Sequence, residues 1–150
     1  MKLCELLDVA TVLPEMTSTD KTEAVEELVD LLVRAGRVDD RQGVIEAVMA
    51  REAQQTTGIG SGVGVPHAKH ATIKKLTAAL GVSRSGVEFD SVDDKPVQVV
   101  FLILARLNDP GPHIQALAEI ARLLQIPGFY RKLVAAKTPA ELLAAIAAEE

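Results

Sequence analysis

The segment Val97–Ala105 is the longest apolar run of the chain and is interrupted only by Gln98. It is far shorter than the stretch of about 20 apolar residues that crosses a bilayer. A strand that is apolar at consecutive positions presents apolar side chains to both faces of its sheet. Both faces must then be covered. The segment therefore predicts a buried strand that lies centrally in its sheet.

Helix and strand patterns alternate along the rest of the chain, which is typical of an α/β or mixed sheet domain. Asp20 and Glu23 have the spacing of a capping box and predict a helix that ends at Gly36. A second helix is predicted from about Asp39 through Glu52.

The second half of the chain predicts further strands and three helices. Leu76–Arg84 predicts a strand, and Val87–Phe89 predicts a short edge strand. One helix is predicted from about His113, a short one over Phe129–Ala136, and a last one capped by Thr138. The residues of the helix at His113 that we expect to face the core are Ile114, Leu117, Ala121 and Leu124.

Composition and charge limit the kind of protein that this chain can be. Its 150 residues suit one domain, which we place over residues 1–150. With 16 basic and 21 acidic residues the net charge is −5, which argues against a nucleic-acid partner. Cys4 is the only cysteine, so no internal disulfide can form. Because Glu5 and Asp8 interrupt any signal-peptide core, we expect a cytoplasmic protein without membrane insertion.

The segment Gly58–His70, GIGSGVGVPHAKH, has a glycine at every second position up to Gly64. In an extended conformation, one face of such a segment lacks side chains and exposes backbone N–H donors that suit an anion. The segment does not match the P-loop GxxxxGK[ST] or the dinucleotide fingerprint GxGxxG. The alternative is a glycine-rich turn packed against a helix, and the segment alone leaves both open.

His67 follows this segment and is the first candidate for chemistry. Pro66 favours extended backbone at the residue before it and thereby orients the imidazole. A histidine in this position can be a general base, a metal ligand or a phosphoryl acceptor. His113 is expected in the first turn of its helix, where it could help to stabilise an anion on His67. Arg51 could bind the same anion, although both residues could equally be ordinary solvated side chains.

The pattern from Arg51-Glu52 through Thr57 to Val65-Pro66-His67 resembles the active-site signature of fructose/mannitol-type IIA domains. These domains belong to the bacterial phosphotransferase system, and their family includes the nitrogen-regulatory IIA proteins. The resemblance extends over nearly the whole chain, including residues 34–41, 86–105 and 113–124. It implies a mixed, mainly parallel five-stranded sheet with helices on both faces, and no metal or organic cofactor.

The resemblance also implies roles for particular residues. His67 would take a phosphoryl group from the phosphohistidine of the carrier protein HPr or its paralogue. His113 matches the second active-site histidine, which hydrogen-bonds the phosphoryl group. Arg51 matches the basic residue that flanks the site, and Thr57 matches a position near the active histidine. The glycines would then clear space for the partner's histidine to approach His67.

Three functions remain open at this point. The protein could pass a phosphoryl group from His67 to a cysteine of a IIB domain on a separate chain, in sugar uptake. It could instead regulate a target such as a potassium transporter or a sensor kinase, and residues 6–41 favour this nitrogen-regulatory branch. Least supported is a metal protein that uses His67, His70 and His113, possibly with Cys4, because no carboxylate or second cysteine lies at useful spacing.

Overall fold

The sheet of the computed structural model, which describes residues 1–109 and 111–150, contains six strands within those ranges. They are β1 (Val12–Leu13), β2 (Gly58–Gly60), β3 (Val63–Gly64), β4 (His67–His70), β5 (Thr77–Val87) and β6 (Val97–Arg106). The order is β1-β5-β6-β3-β2, and β4 also pairs with β6. Three of the five pairings in these ranges are parallel. The predicted mixed sheet is confirmed, with six strands instead of five because the glycine segment contributes short separate strands.

Five α-helices lie within the described ranges and cover the two faces of this sheet. They are α1 (Lys21–Arg34), α2 (Arg41–Gln54), α3 (Gly111–Leu124), α4 (Phe129–Ala135) and α5 (Pro139–Ala147). The predicted caps of α1 and α5 are confirmed: Asp20 accepts from the N–H of Glu23 at 2.9 Å, and Thr138 accepts from that of Glu141 at 3.2 Å. Of the described helices, none is long and apolar enough to cross a membrane.

The central position of β6 is confirmed, with β5 along one edge and both β3 and β4 along the other. Its side chains alternate between two cores, as a pleated strand requires. Those under α3, α4 and α5 are Val99, Phe101 and Ile103, and those under α1 and α2 are Val100, Leu102 and Leu104. Each such side chain contributes about 1.5–3 kcal/mol when fully buried, so β6 anchors both layers of helices.

The predicted edge strand at Val87–Phe89 is wrong. Val87 is the last residue of the long strand β5, so the expected break between the two strands does not occur. Glu88 forms only an isolated bridge with Asp20. Phe89 is fully buried in the core under α1 and α2. The alternation in the sequence therefore marked the end of one strand and the start of the loop that packs beside it.

The predicted inward face of α3 is wrong in part. Ile114 is 59% exposed and Ala121 is exposed, while Leu117 and Leu124 are half-buried. The residues of α3 that are buried in the core are Ala116, Ile120 and Leu123. Both sets have helical spacing, because α3 is apolar on two faces, and the periodicity could not tell which face the sheet covers. Leu117 and Leu124 pack against the edge of the core, whereas Ile114 and Ala121 remain outside it.

Candidate active site

The glycine segment forms a tight hairpin and not a bare extended strand. β2 and β3 are antiparallel, with Gly58 opposite Gly64. Gly60, Ser61 and Gly62 have φ angles of 93°, 58° and 81°, in the left-handed region that a tight hairpin turn uses and that glycine tolerates. The expectation that one face of the backbone would be stripped bare is therefore wrong.

Side chains of the same protein fill the space beside these glycines. A Cβ atom on Gly58 would lie 2.8 Å from the Cα atom of Ser91. A Cβ atom on Gly62 would lie 2.9 Å from the phenol ring of Tyr130 in α4. The space at Gly58 and Gly62 is thus already occupied and is not held open for a partner's histidine. The packed glycine-rich turn is the alternative that the structure favours.

The hairpin leads through Pro66 into β4, whose first residue is His67. β4 runs parallel to β6, with His67 opposite Ile103. Nδ1 of His67 lies 2.9 Å from the carbonyl oxygen of Val65. Since a carbonyl oxygen can only accept, Nδ1 carries the proton and Nε2 of the neutral ring keeps a free electron pair. Burial lowers the pKa of His67 below its ordinary value of 6.5, so the ring is neutral near pH 7.

His113 and Arg51 border the ring of His67. His113 lies in the first turn of α3, as predicted, and its ring stacks on His67 with 5.7 Å between the centroids and 28° between the planes. Arg51 lies in the last turn of α2, and its Nη1 donates to the carbonyl oxygen of Gln55 at 2.9 Å. Burial is the main cause of the lowered pKa of His67, and the positive charge of Arg51 is a further cause. The structure thus brings three of the predicted residues together.

Thr57, the fourth predicted residue, belongs to a buried network behind the ring. Its N–H donates to Oε2 of Glu52 at 2.9 Å, and its hydroxyl donates to the same carboxylate. Both Thr57 and Glu52 are 5% exposed. Nζ of Lys21 in α1 lies 3.3 Å from Oε2 of Glu52 and supplies the opposite charge. Thr57 lines a cleft beside His67, while its polar groups point to this network.

Sequence reasoning assigned no role to Glu52 or Lys21. Glu52 stands directly after Arg51 in the recognised motif, and an acidic residue on the buried side of a helix needs a partner. This requirement could have indicated from the sequence that Glu52 has a buried polar or charged partner. Its cationic partner lies 31 residues earlier in the chain, and no local pattern connects the two.

His70 and Cys4 do not join the group around His67. Nδ1 of His70 lies 2.8 Å from the hydroxyl of Thr72. The backbone N–H of Cys4 donates to the carboxylate of Glu150 at 3.0 Å. Within residues 1–109 and 111–150, no group of three or more His, Cys, Asp or Glu side chains could hold a metal ion. The geometry therefore gives the metal hypothesis no ligand set.

Two clefts meet at His67. The first, the apolar cleft, has a volume of about 330 Å³, and its apolar walls include Ile59, Val65, Leu117, Ala121 and Leu124. Three of these belong to α3, on the side of the helix that lies at the edge of the core. The second, the polar cleft, has a volume of about 350 Å³, and its polar lining residues other than His67 are Arg51, Gln54, Lys69 and His113. His67 is thus reached from an apolar side and from a cationic side.

Residues 5–149 match the family model described as phosphoenolpyruvate-dependent sugar phosphotransferase system, EIIA 2. The chain belongs to this family. It is 39% identical over 140 residues to the fructose-specific EIIA component of the phosphotransferase system of Haloferax volcanii, covering 89% of this chain and 91% of the relative. It is 32% identical to a nitrogen regulatory protein of Bradyrhizobium diazoefficiens, over 91% of this chain and 89% of the relative.

A solved structure agrees with this assignment. The nitrogen regulatory protein IIA-Ntr from Neisseria meningitidis has 30% sequence identity and a TM-score of 0.88, over 96% of this chain and 98% of that one. The resemblance inferred from the segment between Arg51 and His67 is therefore confirmed. The relatives of this EIIA-family chain come from both the sugar-specific and the nitrogen-regulatory branch.

Proposed function

We propose that this protein is a phosphocarrier that accepts a phosphoryl group on Nε2 of His67 from the phosphohistidine of an HPr-type carrier protein. The observation that carries this proposal is the hydrogen bond from Nδ1 of His67 to the carbonyl of Val65. It leaves Nε2 unprotonated in a ring whose pKa is lowered by burial. A neutral imidazole is a nucleophile near pH 7 and needs no separate base.

The proposed transfer moves one phosphoryl group and no proton. Nε2 of His67 attacks the phosphorus atom while the N–P bond of the donor breaks, and the electron pair of that bond returns to the donor ring. The donor ring, protonated on its other nitrogen, leaves as a neutral imidazole. His67 becomes a phosphoimidazolium that keeps its Nδ1–H, and the Val65 carbonyl faces the resulting positive charge. In-line positioning of the two rings supplies most of the remaining catalysis.

Arg51 and His113 would stabilise the phosphoryl group. The guanidinium of Arg51 offers several N–H donors in a fixed geometry, which suits phosphoryl oxygens. The carbonyl of Gln55 holds it at the end of α2. His113 stacks on the accepting ring, and its imidazole is close enough to donate to an oxygen of the group. We assign Thr57 an indirect role, in which its bonds to Glu52 hold the wall of the apolar cleft.

The apolar cleft is the surface where we place the carrier protein. Ile59, which lines this cleft, is 56% exposed, and Ile114, which lies next to His113 in α3, is 59% exposed. Exposed apolar groups close to a polar reaction centre are typical of protein interfaces. At a net charge of −5, long-range attraction alone would not bring the partner to this surface.

The 39% identity to a fructose-specific EIIA component favours onward transfer from His67 to a cysteine of a IIB domain. The segment of residues 6–41, and the TM-score of 0.88 to a nitrogen regulatory protein, favour the regulatory branch. In that branch the phosphorylated protein would bind a target such as a potassium transporter or a sensor kinase. Loss of the phosphoryl group upon addition of a fructose-type IIB domain distinguishes the two.

Intact-mass spectrometry tests the acceptance step directly. The protein is incubated with phosphoenolpyruvate, enzyme I and HPr, in parallel with His67→Ala. We expect one acid-labile phosphoryl group on the wild type and none on the variant. Phosphorylation of His67→Ala would overturn the assignment of the acceptor. A wild type that accepts nothing from HPr or from its nitrogen-branch paralogue would overturn the phosphocarrier function itself.

A further inference from the structure

The polar cleft beside His67 has an unbalanced positive charge. Arg51 and Lys69 both line it, together with Gln54 and His113. Among the described residues that line this cleft, none is acidic. The charge of this cleft is thus opposite in sign to that of the chain, which has five more acidic than basic residues. A cleft with one sign of charge concentrates anions.

Lys69 has a position that no proposed role yet uses. It lies two residues after His67 on β4, and side chains two apart on a strand point to the same face, roughly 7 Å apart along the backbone. The four-carbon stem of lysine can span that distance. Its ammonium group can therefore approach a group bonded to Nε2 of His67.

The ammonium group of Lys69 also has no partner among the described residues. Lys69 is exposed, and within the described residues its ammonium group makes no hydrogen bond or ion pair. In contrast, Lys21, Lys74 and Lys132 each pair with a carboxylate. An unpaired lysine on the rim of a cationic cleft can bind an incoming anion without first breaking an existing contact. Its rotatable donors can also follow a phosphoryl group as it moves between two rings.

We propose that Lys69 is a further phosphoryl-binding residue, which donates to an oxygen of the group on His67 from the polar cleft. This proposal rests on the phosphocarrier function proposed above. A bound phosphoryl group carries close to two negative charges, and Arg51 and Lys69 would together balance them. A charge-assisted hydrogen bond at a partly exposed site is worth about a tenfold change in an equilibrium constant. Lys69 should therefore favour the phosphorylated protein over the unphosphorylated one by about that factor.

The test measures the equilibrium constant for phosphoryl exchange with phosphorylated HPr, by intact mass of both proteins after the exchange is complete. This constant depends only on the free proteins, so changes in docking do not affect it. The variants are Lys69→Gln, Lys69→Arg and, as a control, Lys137→Gln. The control removes the same charge from an exposed lysine that lines neither cleft.

We expect Lys69→Gln to accept the phosphoryl group with an equilibrium constant about tenfold lower than that of the wild type. Lys69→Arg should keep most of the wild-type value, and Lys137→Gln all of it. An unchanged constant in Lys69→Gln would overturn the role of Lys69 and leave the phosphocarrier function standing. The same holds if only the rate changes, since Lys69 would then contact the partner and not the phosphoryl group. A wild type that is never phosphorylated overturns both proposals.

Discussion

Removal of the ammonium group of Lys21 tests whether the buried ion pair holds the framework of the site. Nζ of Lys21 lies 3.3 Å from Oε2 of Glu52, and the two side chains are 12% and 2% exposed. Lys21 also donates to the hydroxyl of Thr56 at 3.1 Å. Glu52 in turn holds both the N–H and the hydroxyl of Thr57. The pair thus connects α1 and α2 with the segment that leads into the glycine hairpin.

The expected loss follows from the burial of this pair. At 3.3 Å and an effective dielectric constant of about 20, the direct attraction is about 5 kcal/mol before the desolvation cost. Leaving one buried charge without its partner typically costs about 3–5 kcal/mol. Lys21 also lies 5.0 Å from the ring centre of Phe89, a contact worth about 0.5–1 kcal/mol. We therefore expect Lys21→Met to lower the free energy of unfolding by about 4 kcal/mol.

The double variant Lys21→Met/Glu52→Gln should lose less, because it leaves no buried charge unpaired. We expect its loss to be about 2 kcal/mol, mainly from weakened hydrogen bonds to Thr57. Urea unfolding followed by circular dichroism measures the free energy of unfolding of the wild type, of Lys21→Met and of the double variant. Lys74→Met is the control, since its ion pair with Asp39 is 87% and 71% exposed and should contribute nothing measurable. A loss in Lys21→Met no larger than in the control would refute the reasoning.

The fold could be predicted where the local pattern allowed one solution. Consecutive apolar residues in β6 require cover on both faces of the strand, and this predicted its central position in the sheet. The helices on both faces were implied by the family resemblance. Asp20 and Thr138 could be recognised as caps because capping depends only on residues three positions apart. Pro66 and His67 stand out for the same reason, since the restriction that proline imposes acts on its immediate neighbours.

The orientation of α3 could not be predicted, because the helix has two apolar faces of similar spacing. The sheet takes Ala116, Ile120 and Leu123, which leaves the face of Leu117 and Ala121 against the apolar cleft. Sequence reasoning had assigned the other apolar set, from Ile114 to Leu124, to the core. A protein that docks a partner beside its reaction centre needs apolar residues outside the core. The error therefore coincides with the surface where we place the carrier protein.

The glycine segment and the Lys21–Glu52 pair escaped prediction for another reason. Gly58 and Gly62 pack against Ser91 and Tyr130, which lie far from them along the chain. A run of alternating glycines has the same local pattern whether its free space is filled by the protein itself or by a partner. Only the tertiary structure distinguishes these cases. The buried pair likewise depends on contacts between distant segments.

Two further predictions address the glycine hairpin and the titration of His67. Gly62→Ala should lose about 2–4 kcal/mol of unfolding free energy, because φ is 81° there and the new Cβ would lie 2.9 Å from the ring of Tyr130. Gly36→Ala has a similar φ of 74° with nothing within 4 Å, so it should lose only about 1–2 kcal/mol, and equal losses in urea unfolding would contradict the packing argument. Since burial lowers the pKa of His67, its ring should titrate below 6.5 in NMR spectra of the folded protein. Between the lowered pKa and pH 6.5 the unfolded chain binds more protons at this residue than the folded protein does. Protonation of His67 therefore does not reduce the free energy of unfolding above pH 6.5, but it reduces that free energy as the pH falls from 6.5 through the lowered pKa. His67→Ala should lack this part of the acid sensitivity, and parallel pH curves for the two proteins would show that burial of the ring does not oppose its protonation.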